Sequence, residues 1–264
     1  MNRIERQAVD HLQYMRQSLS LTMVKAEFEA QGIELPELMR LKDITATAGL
    51  NIALKIGGVE DVWGIQQALL VGVGGIVFPM AESAFALQKS LEAAKEHISP
   101  DERHDLHLAV NIETESACRE LGKMLEVARA GGLDAITVGR VDLVGSLGLN
   151  RDAINSERVF DLVLHACELG KKAELMVTLG GGIEVESHDF IHRLVERKLL
   201  DRFETRMAIF PATMALDSTM YETAVKAAHK FEIYWLECMG SKYEEMARKR
   251  RKRILMLKKR IGED

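Results

Sequence analysis

The sequence predicts a (β/α)8 barrel of the TIM type, and three observations predict it. Short apolar, β-branched runs alternate with longer amphipathic stretches over roughly 200 residues, the rhythm of parallel strands joined by crossover helices. Most of the short runs are apolar on both faces, as strands covered on both sides must be. The length, 264 residues, suits a fold that takes about 250. The rival, a doubly wound open sheet, would want a glycine-rich turn directly after its first strand. Here "EAQGIEL" follows the first strand, and "GVGG" at 72–75 leads from helix into strand, the opposite order.

The elements follow in order. The N-terminal "MNRIERQAVDHLQ" is charged and has no apolar h-region, so no leader peptide is expected in it. A first strand is expected at 22–28, with Val24, Ala26 and Phe28 on one face and Lys25, Glu27 and Glu29 on the other. "LPELMRLKDITATAG" is a helix with Pro36 early and Gly49 at its stop. Strands are expected at 51–56, 75–78, 106–112, 135–138, 175–179 and 203–210. The helical patterns between them end on glycines such as Gly72, Gly131 and Gly170. That makes seven strands, one short of a barrel. "MRQSLSLTMV" at 15–24 is the place to look for the eighth, which would modify the barrel at its first strand.

From 212 onward one long helical stretch follows, with Gly240 as the point where it would break. The expected organisation is a barrel with an N-terminal helix over 1–211 and a helical arm over 212–264. An apolar, charged extension of this kind packs on its own barrel or on another subunit, so it reads as an oligomerisation arm. Net charge is −5, yet residues 242–264 hold ten Lys/Arg against four Asp/Glu. The run "RKRRKR" at 248–253 reads as a solvated helix face; with an acidic main body and no aromatic platform, nucleic acid is not an expected partner. Three cysteines without metal-type spacing read as reduced thiols in a cytoplasmic protein. No apolar run reaches the length of a membrane span, so no membrane association is expected.

A barrel keeps its chemistry at the C-terminal ends of its strands. The polar residues there are Lys25, Glu27 and Glu29; Lys55; Glu82; Asn111 and Glu113; Arg140 and Asp142; the glycines around Gly181 in "TLGGGI"; and Glu204 and Arg206. Glu113 and Asp142, at the ends of adjacent strands, suit a hard cation, Mg²⁺ or Mn²⁺, with water and substrate completing its shell. They would equally serve as helix caps. Lys25, Glu27, Glu29 and Lys55 converge on one mouth, where carboxylate–lysine pairs shift each other's pKa values and move protons. The alternative is that Lys25–Glu27 and Glu204–Arg206 are buried ion pairs. The Gly181 loop suits a phosphate or coenzyme A tail through its backbone N–H groups, and it suits a tight turn equally. His188 and His192 share a helix face, without an HExxH pattern.

The segment "HLAVNIETESACRELGKMLEVARAGGLDAITVGRVDLVGSLGL" resembles the metal segment of the HpcH/HpaI aldolase and citrate lyase β-subunit family, and "GIVFPMAES" resembles another strand end of that family. The resemblance implies a (β/α)8 barrel, assembled as a homo-oligomer (trimer or hexamer) through its C-terminal helices. It implies a C–C lyase or aldolase acting through an enolate of a 2-oxo acid or acyl-CoA. Glu113 and Asp142 would hold the cation, with Asn111, Gly139, Arg140 and Gly181 along the substrate. Two positions depart from the family: Lys55 stands where it has an enolate-binding arginine, and Ala30 where its aldolases have an acid/base histidine. Lys55, Glu29, Glu27, Lys25 and Arg206 are the residues available to replace that machinery. Two other readings remain: a Schiff-base aldolase using Lys55 or Lys25, and a barrel without catalysis that binds or assembles.

Overall fold

The structure, a computed structural model, describes residues 1–263. Helix α1 (Arg3–Ser18) precedes strand β1 (Met23–Glu27), and the chain continues through α2 (Leu35–Thr47), β2 (Asn51–Lys55), α3 (Val62–Val71) and β3 (Gly75–Phe78). Next come α4 (Ala84–His97), a short α5 (Pro100–His104), β4 (His107–Ile112), α6 (Glu115–Gly131), β5 (Ala135–Gly139) and a short α7 (Arg140–Ser146). The last part comprises α8 (Glu157–Lys172), β6 (Met176–Gly180), α9 (His188–Glu196), β7 (Arg202–Glu204), β8 (Ala208–Pro211) and α10 (Ser218–Ile261). The eight strands close into a barrel in sequence order, so the expected fold class holds.

The modification lies at the last strand, not the first. Residues 203–210, expected as one strand, are two: β7 runs parallel to β6, and β8 returns antiparallel to both β7 and β1. The hairpin closes with the Thr205 N–H on the Ala208 carbonyl at 2.9 Å. No glycine, proline or asparagine marks this turn and none of its residues has a positive φ, so turn chemistry left no signal in the sequence. Residues 15–24, the expected place of an eighth strand, instead hold the end of α1 and the start of β1.

Reversal of β8 delivers the chain to the bottom of the barrel, where the Ala212 N–H donates to the carbonyl of Asp201. A 3₁₀ turn, Ala212–Leu216, is pinned there by His188 and His192, which both bond the Ala215 carbonyl at 3.0 and 2.9 Å. Helix α10 then climbs between α9 and α1, in the slot an eighth barrel helix would fill. Its buried residues, Tyr221 through Met239, recur at helical spacing and then stop. The helix runs unbroken past Gly240 to Ile261, about 30 Å beyond its last buried turn.

Strand alternation sorts the core. Val24, Ile52, Leu54, Ile76, Phe78, Val110, Ile112, Ile136, Val138, Val177 and Phe203 point outward into one apolar cluster with the helices. The opposite faces carry small or polar residues: Ala53, Gly75, Asn111, Thr137, Thr178 and Gly180. Thin residues inside the barrel leave room for long polar ones near its top. The three cysteines are buried and unbridged.

Glu5 ties α1 to α2. Its carboxylate accepts from Arg40 Nε at 2.6 Å and also from Arg40 Nη2. The Arg40 hydrogen bond, outweighing desolvation, holds the Glu5 carboxyl down at about 2. A depressed carboxyl contributes stability above its unfolded pKa and loses it as pH falls toward the folded one. Glu5→Gln is therefore expected to lose about 1–2 kcal/mol at pH 7. The deficit should shrink between about pH 4.5 and 2, read by urea unfolding across pH.

Candidate active site

The strand ends open into a cavity of about 390 Å³ at the top of the barrel. Its floor is a buried charge cluster. Lys25 and Glu27 point inward because they alternate with Val24 and Ala26, and Lys25 Nζ reaches Glu27 Oε1 at 2.9 Å and Glu204 Oε1 at 2.6 Å. Burial alone would lower the Lys25 pKa; the charges of Glu204 and Glu27 outweigh it and raise it. Burial would raise the Glu27 carboxyl, and Lys25, Lys55 and Arg206 together bring it below its ordinary value. Lys55, at the end of β2, contacts Glu29 Oε2 at 2.8 Å and Glu113 Oε2 at 3.6 Å. It too overcomes desolvation, through Glu113, Glu29 and Glu27, and is raised.

Glu113 stands just past β4, 3% exposed. The next residue explains its freedom: Thr114 caps α6 by accepting the Ala117 N–H, so Glu113 is not needed as a cap. Its Oε1 accepts the Met80 N–H at 3.1 Å and its Oε2 accepts Asn111 Nδ2 at 2.9 Å. A Cβ at Gly139 would lie 3.0 Å from Glu113 Oε2, so the glycine makes space for the carboxylate. Burial raises the Glu113 pKa, the neighbouring donors counter it, and Asp142 adds to the rise. Asp142, expected in a turn, occupies the first turn of α7, is exposed and makes no side-chain cap. Asn111 is 3% exposed, and its Oδ1 is buried without a partner.

The structure therefore gathers Lys25, Glu27, Lys55, Asn111, Glu113, Gly139, Asp142, Gly181 and Arg206 around one cavity. Three of the expected strand-end residues do not line it, and one of them, Glu82, is exposed beyond β3. Glu29 sits beyond the end of β1, exposed, and pairs with Lys55. Arg140 is fully buried behind the cavity, donating to Asn155 Oδ1 at 2.7 Å, Ser187 Oγ at 3.1 Å and the Gly182 carbonyl at 3.3 Å. Its guanidinium lies 4.7 Å from the centre of the Phe190 ring. Burial lowers its pKa to about 10. It braces the glycine loop instead of facing a substrate, because it follows the last residue of β5 and turns outward with α7. Of the two ion pairs in the alternative reading, Lys25–Glu27 forms and Glu204–Arg206 does not: Glu204 bonds Lys25, while Arg206 is exposed and donates to the Ala30 carbonyl at 3.3 Å. Gly181, with φ +79°, brings its loop so close to α7 that a Cβ would meet the Arg140 nitrogen at 2.5 Å.

Sequence reading missed residues that line the same cavity: Arg151, Glu184, His229 and Glu232. The last two come from α10, and no motif near them signals a site. In all, six carboxylates and four Lys/Arg side chains line the cavity, so its walls carry excess negative charge. Among the described residues no group of three or more His, Cys, Asp or Glu side chains converges as a ready-made metal cage.

Fold and site together define a (β/α)8-type barrel with an acidic, oxygen-rich pocket at the strand ends. The chain belongs to the HpcH/HpaI aldolase/citrate lyase family, whose model matches residues 33–179. The match spans α2 to β6; it includes Lys55, Glu113 and Asp142 and leaves out Lys25, Glu204 and α10. No curated protein matches the chain. Among solved structures, an HpcH/HpaI aldolase/citrate lyase family protein from Burkholderia cenocepacia is 15% identical, over 92% of this chain and 90% of that one, with a TM-score of 0.61. An HpcH/HpaI aldolase from Desulfitobacterium hafniense is 14% identical over 75% of this chain and 81% of that one, at TM-score 0.60. The citrate lyase beta subunit from M. tuberculosis, complexed with oxaloacetate and magnesium, is 11% identical over 83% of this chain and 92% of that one, at 0.53. These likenesses establish the shared barrel. No helix among the described residues is long and apolar enough to cross a membrane.

Proposed function

We propose that the protein is a divalent-cation-dependent carbon–carbon lyase or aldolase that works through an enolate of a 2-oxo acid or acyl-CoA. The observation that carries this is the oxygen set at the β4 and β5 ends: Glu113, the unpartnered Asn111 Oδ1 and the exposed Asp142. These are hard donors, and Glu113 with Asp142 would hold Mg²⁺ or Mn²⁺ while substrate and water complete the shell. The excess of carboxylates around the cavity favours a cation there. The magnesium in the M. tuberculosis relative supports the same choice. When bound, the cation supplies Lewis-acid stabilisation of negative charge on the substrate's oxo oxygen.

The protein's own groups do the rest. Lys55, held cationic by its carboxylate neighbours, adds positive charge beside Glu113. Gly139 and Gly181 leave bare backbone along the cavity wall, suited to a substrate carboxylate. The buried Lys25 cluster holds Glu27 and Glu204 rigidly at the floor. The exposed half of α10 suits assembly into a homo-oligomer. A Schiff-base mechanism is disfavoured, because a nucleophilic lysine must shed its proton and each lysine is paired with two carboxylates, which favour its charged form.

The test is titration calorimetry with Mn²⁺ and oxalate, a mimic of the pyruvate enolate. Oxalate is expected to bind only with Mn²⁺ present, and borohydride with pyruvate should leave both lysines unmodified. Metal-independent oxalate binding, or a trapped adduct on Lys55 or Lys25, overturns the proposal.

A further inference from the structure

Helix α10 brings a histidine to the cavity. His229 lines it together with Glu232, one turn further along the helix, and with Ala30 and Arg206. It is solvent-exposed at the mouth and has no ion-pair partner among the described residues. The strand order places it across from the cation-type oxygens. Helix α10 covers the β7–β8–β1 side, whereas Glu113 follows β4 and Asp142 follows β5, on the far side of the closed barrel. A molecule filling 390 Å³ between them would touch both walls.

The buried basic and acidic groups in the cavity are engaged. Lys25 is shared between Glu27 and Glu204, and Lys55 is held by Glu29 and Glu113. Glu113 accepts two hydrogen bonds. Each lysine thus faces two carboxylates, and each buried carboxylate has a partner. Imidazole is the side chain that both takes and gives a proton near neutral pH.

We infer that His229 is the acid/base group of this cavity, a role that α10 supplies in place of the β1 loop, where Ala30 stands. The inference rests on the enolate reading above. In the cleavage direction the His229 imidazole accepts the proton of the C4 hydroxyl of a 4-hydroxy-2-oxo acid. As it does so, the C3–C4 bond breaks. The bond's electron pair passes into the C2–C3 enolate, its charge on the 2-oxo oxygen, and the C4 fragment leaves as an aldehyde. The imidazolium then returns the proton to C3, giving the 2-oxo acid and neutral histidine. Arg206 and Glu232 flank the ring's wall, the arginine lying 4.0 Å from Glu232 Oε1.

The experiment follows the exchange of pyruvate methyl protons with D₂O by NMR in the Mn²⁺-loaded protein, beside calorimetric binding of oxalate with Mn²⁺. His229→Ala and His229→Gln are compared with the parent; the site is exposed, so both should fold. Exchange is expected to fall about 10²–10⁴-fold in both variants, with oxalate affinity within about threefold and partial rescue of His229→Ala by added imidazole. A further readout is acylation by diethyl pyrocarbonate, located by peptide mass spectrometry: His229 should react in the free protein and be shielded by Mn²⁺ with oxalate. Parental exchange rates in both variants overturn this inference alone. So does a parallel loss of exchange and oxalate affinity, which would make His229 a binding residue. A parent that binds Mn²⁺ and oxalate yet exchanges no protons also overturns it. A parent that binds no oxalate with Mn²⁺ overturns the enolate reading and this inference with it.

Discussion

Glu113→Gln is expected to abolish cation-dependent turnover while leaving the cation-free protein as stable as the parent or more so. The two halves of that expectation have separate causes. Glutamine keeps the shape of the side chain and can still accept the Met80 N–H, so packing beside Gly139 is preserved. It loses the charge that a hard cation needs, and removing a direct ligand should cost at least the ~100-fold in affinity seen for outer partners. In the free protein the carboxylate is a burden: burial opposes its ionisation, and Asp142 repels it. A neutral amide removes that cost, though Lys55 keeps Glu29 as a partner. Calorimetry with Mn²⁺ measures the first half and thermal unfolding in chelator the second. A residue retained for stability would reverse the pattern, with normal cation affinity and a lowered Tm. Asp142→Asn should lose cation affinity with little change in stability, because Asp142 is exposed and caps nothing.

Lys25→Met is expected to produce the largest loss of stability of any single change in the cavity. Methionine matches the stem but leaves Glu27 and Glu204 facing each other, both about 5% exposed. Breaking a buried pair by removing one partner typically costs about 3–5 kcal/mol. The sign of the pH effect follows. Without the ammonium the two buried carboxylates hold protons more tightly than in the unfolded chain, so the deficit grows as pH rises and shrinks as one of them protonates. Urea unfolding at pH 8 and pH 5 tests this, with the larger deficit expected at pH 8. Lys25→Met with Glu204→Gln should recover part of the loss, since one buried charge is then gone. An equal deficit at both pH values would mean that the cluster contributes by packing alone.

Where a residue lies inside a strand, the face it takes is legible in the sequence. Alternation with period two turned Lys25 and Glu27 inward once Val24 and Ala26 were recognised as core, and it did the same for Asn111 against Val110 and Ile112. The cavity floor and the β4 oxygens follow from that. Past a strand's last residue the alternation carries no information. Extended past Glu27, alternation would aim Glu29 into the cavity, yet Glu29 is exposed and pairs with Lys55; Arg140, expected at the site from its strand-end position and the family resemblance, lies in the wall behind the glycine loop.

Local pattern along the chain thus decided which elements form, which faces are buried, and that acids and lysines meet at one end of a barrel. It could not decide how the barrel closes or what covers it. The β7–β8 hairpin has no turn residue to announce it, and its register is set by pairing with β1, some 180 residues away in the chain. That reversal sends α10 up between α9 and α1 and carries His229 and Glu232 to the mouth. Contacts of this kind depend on the closure of all eight strands, which no stretch of sequence encodes alone.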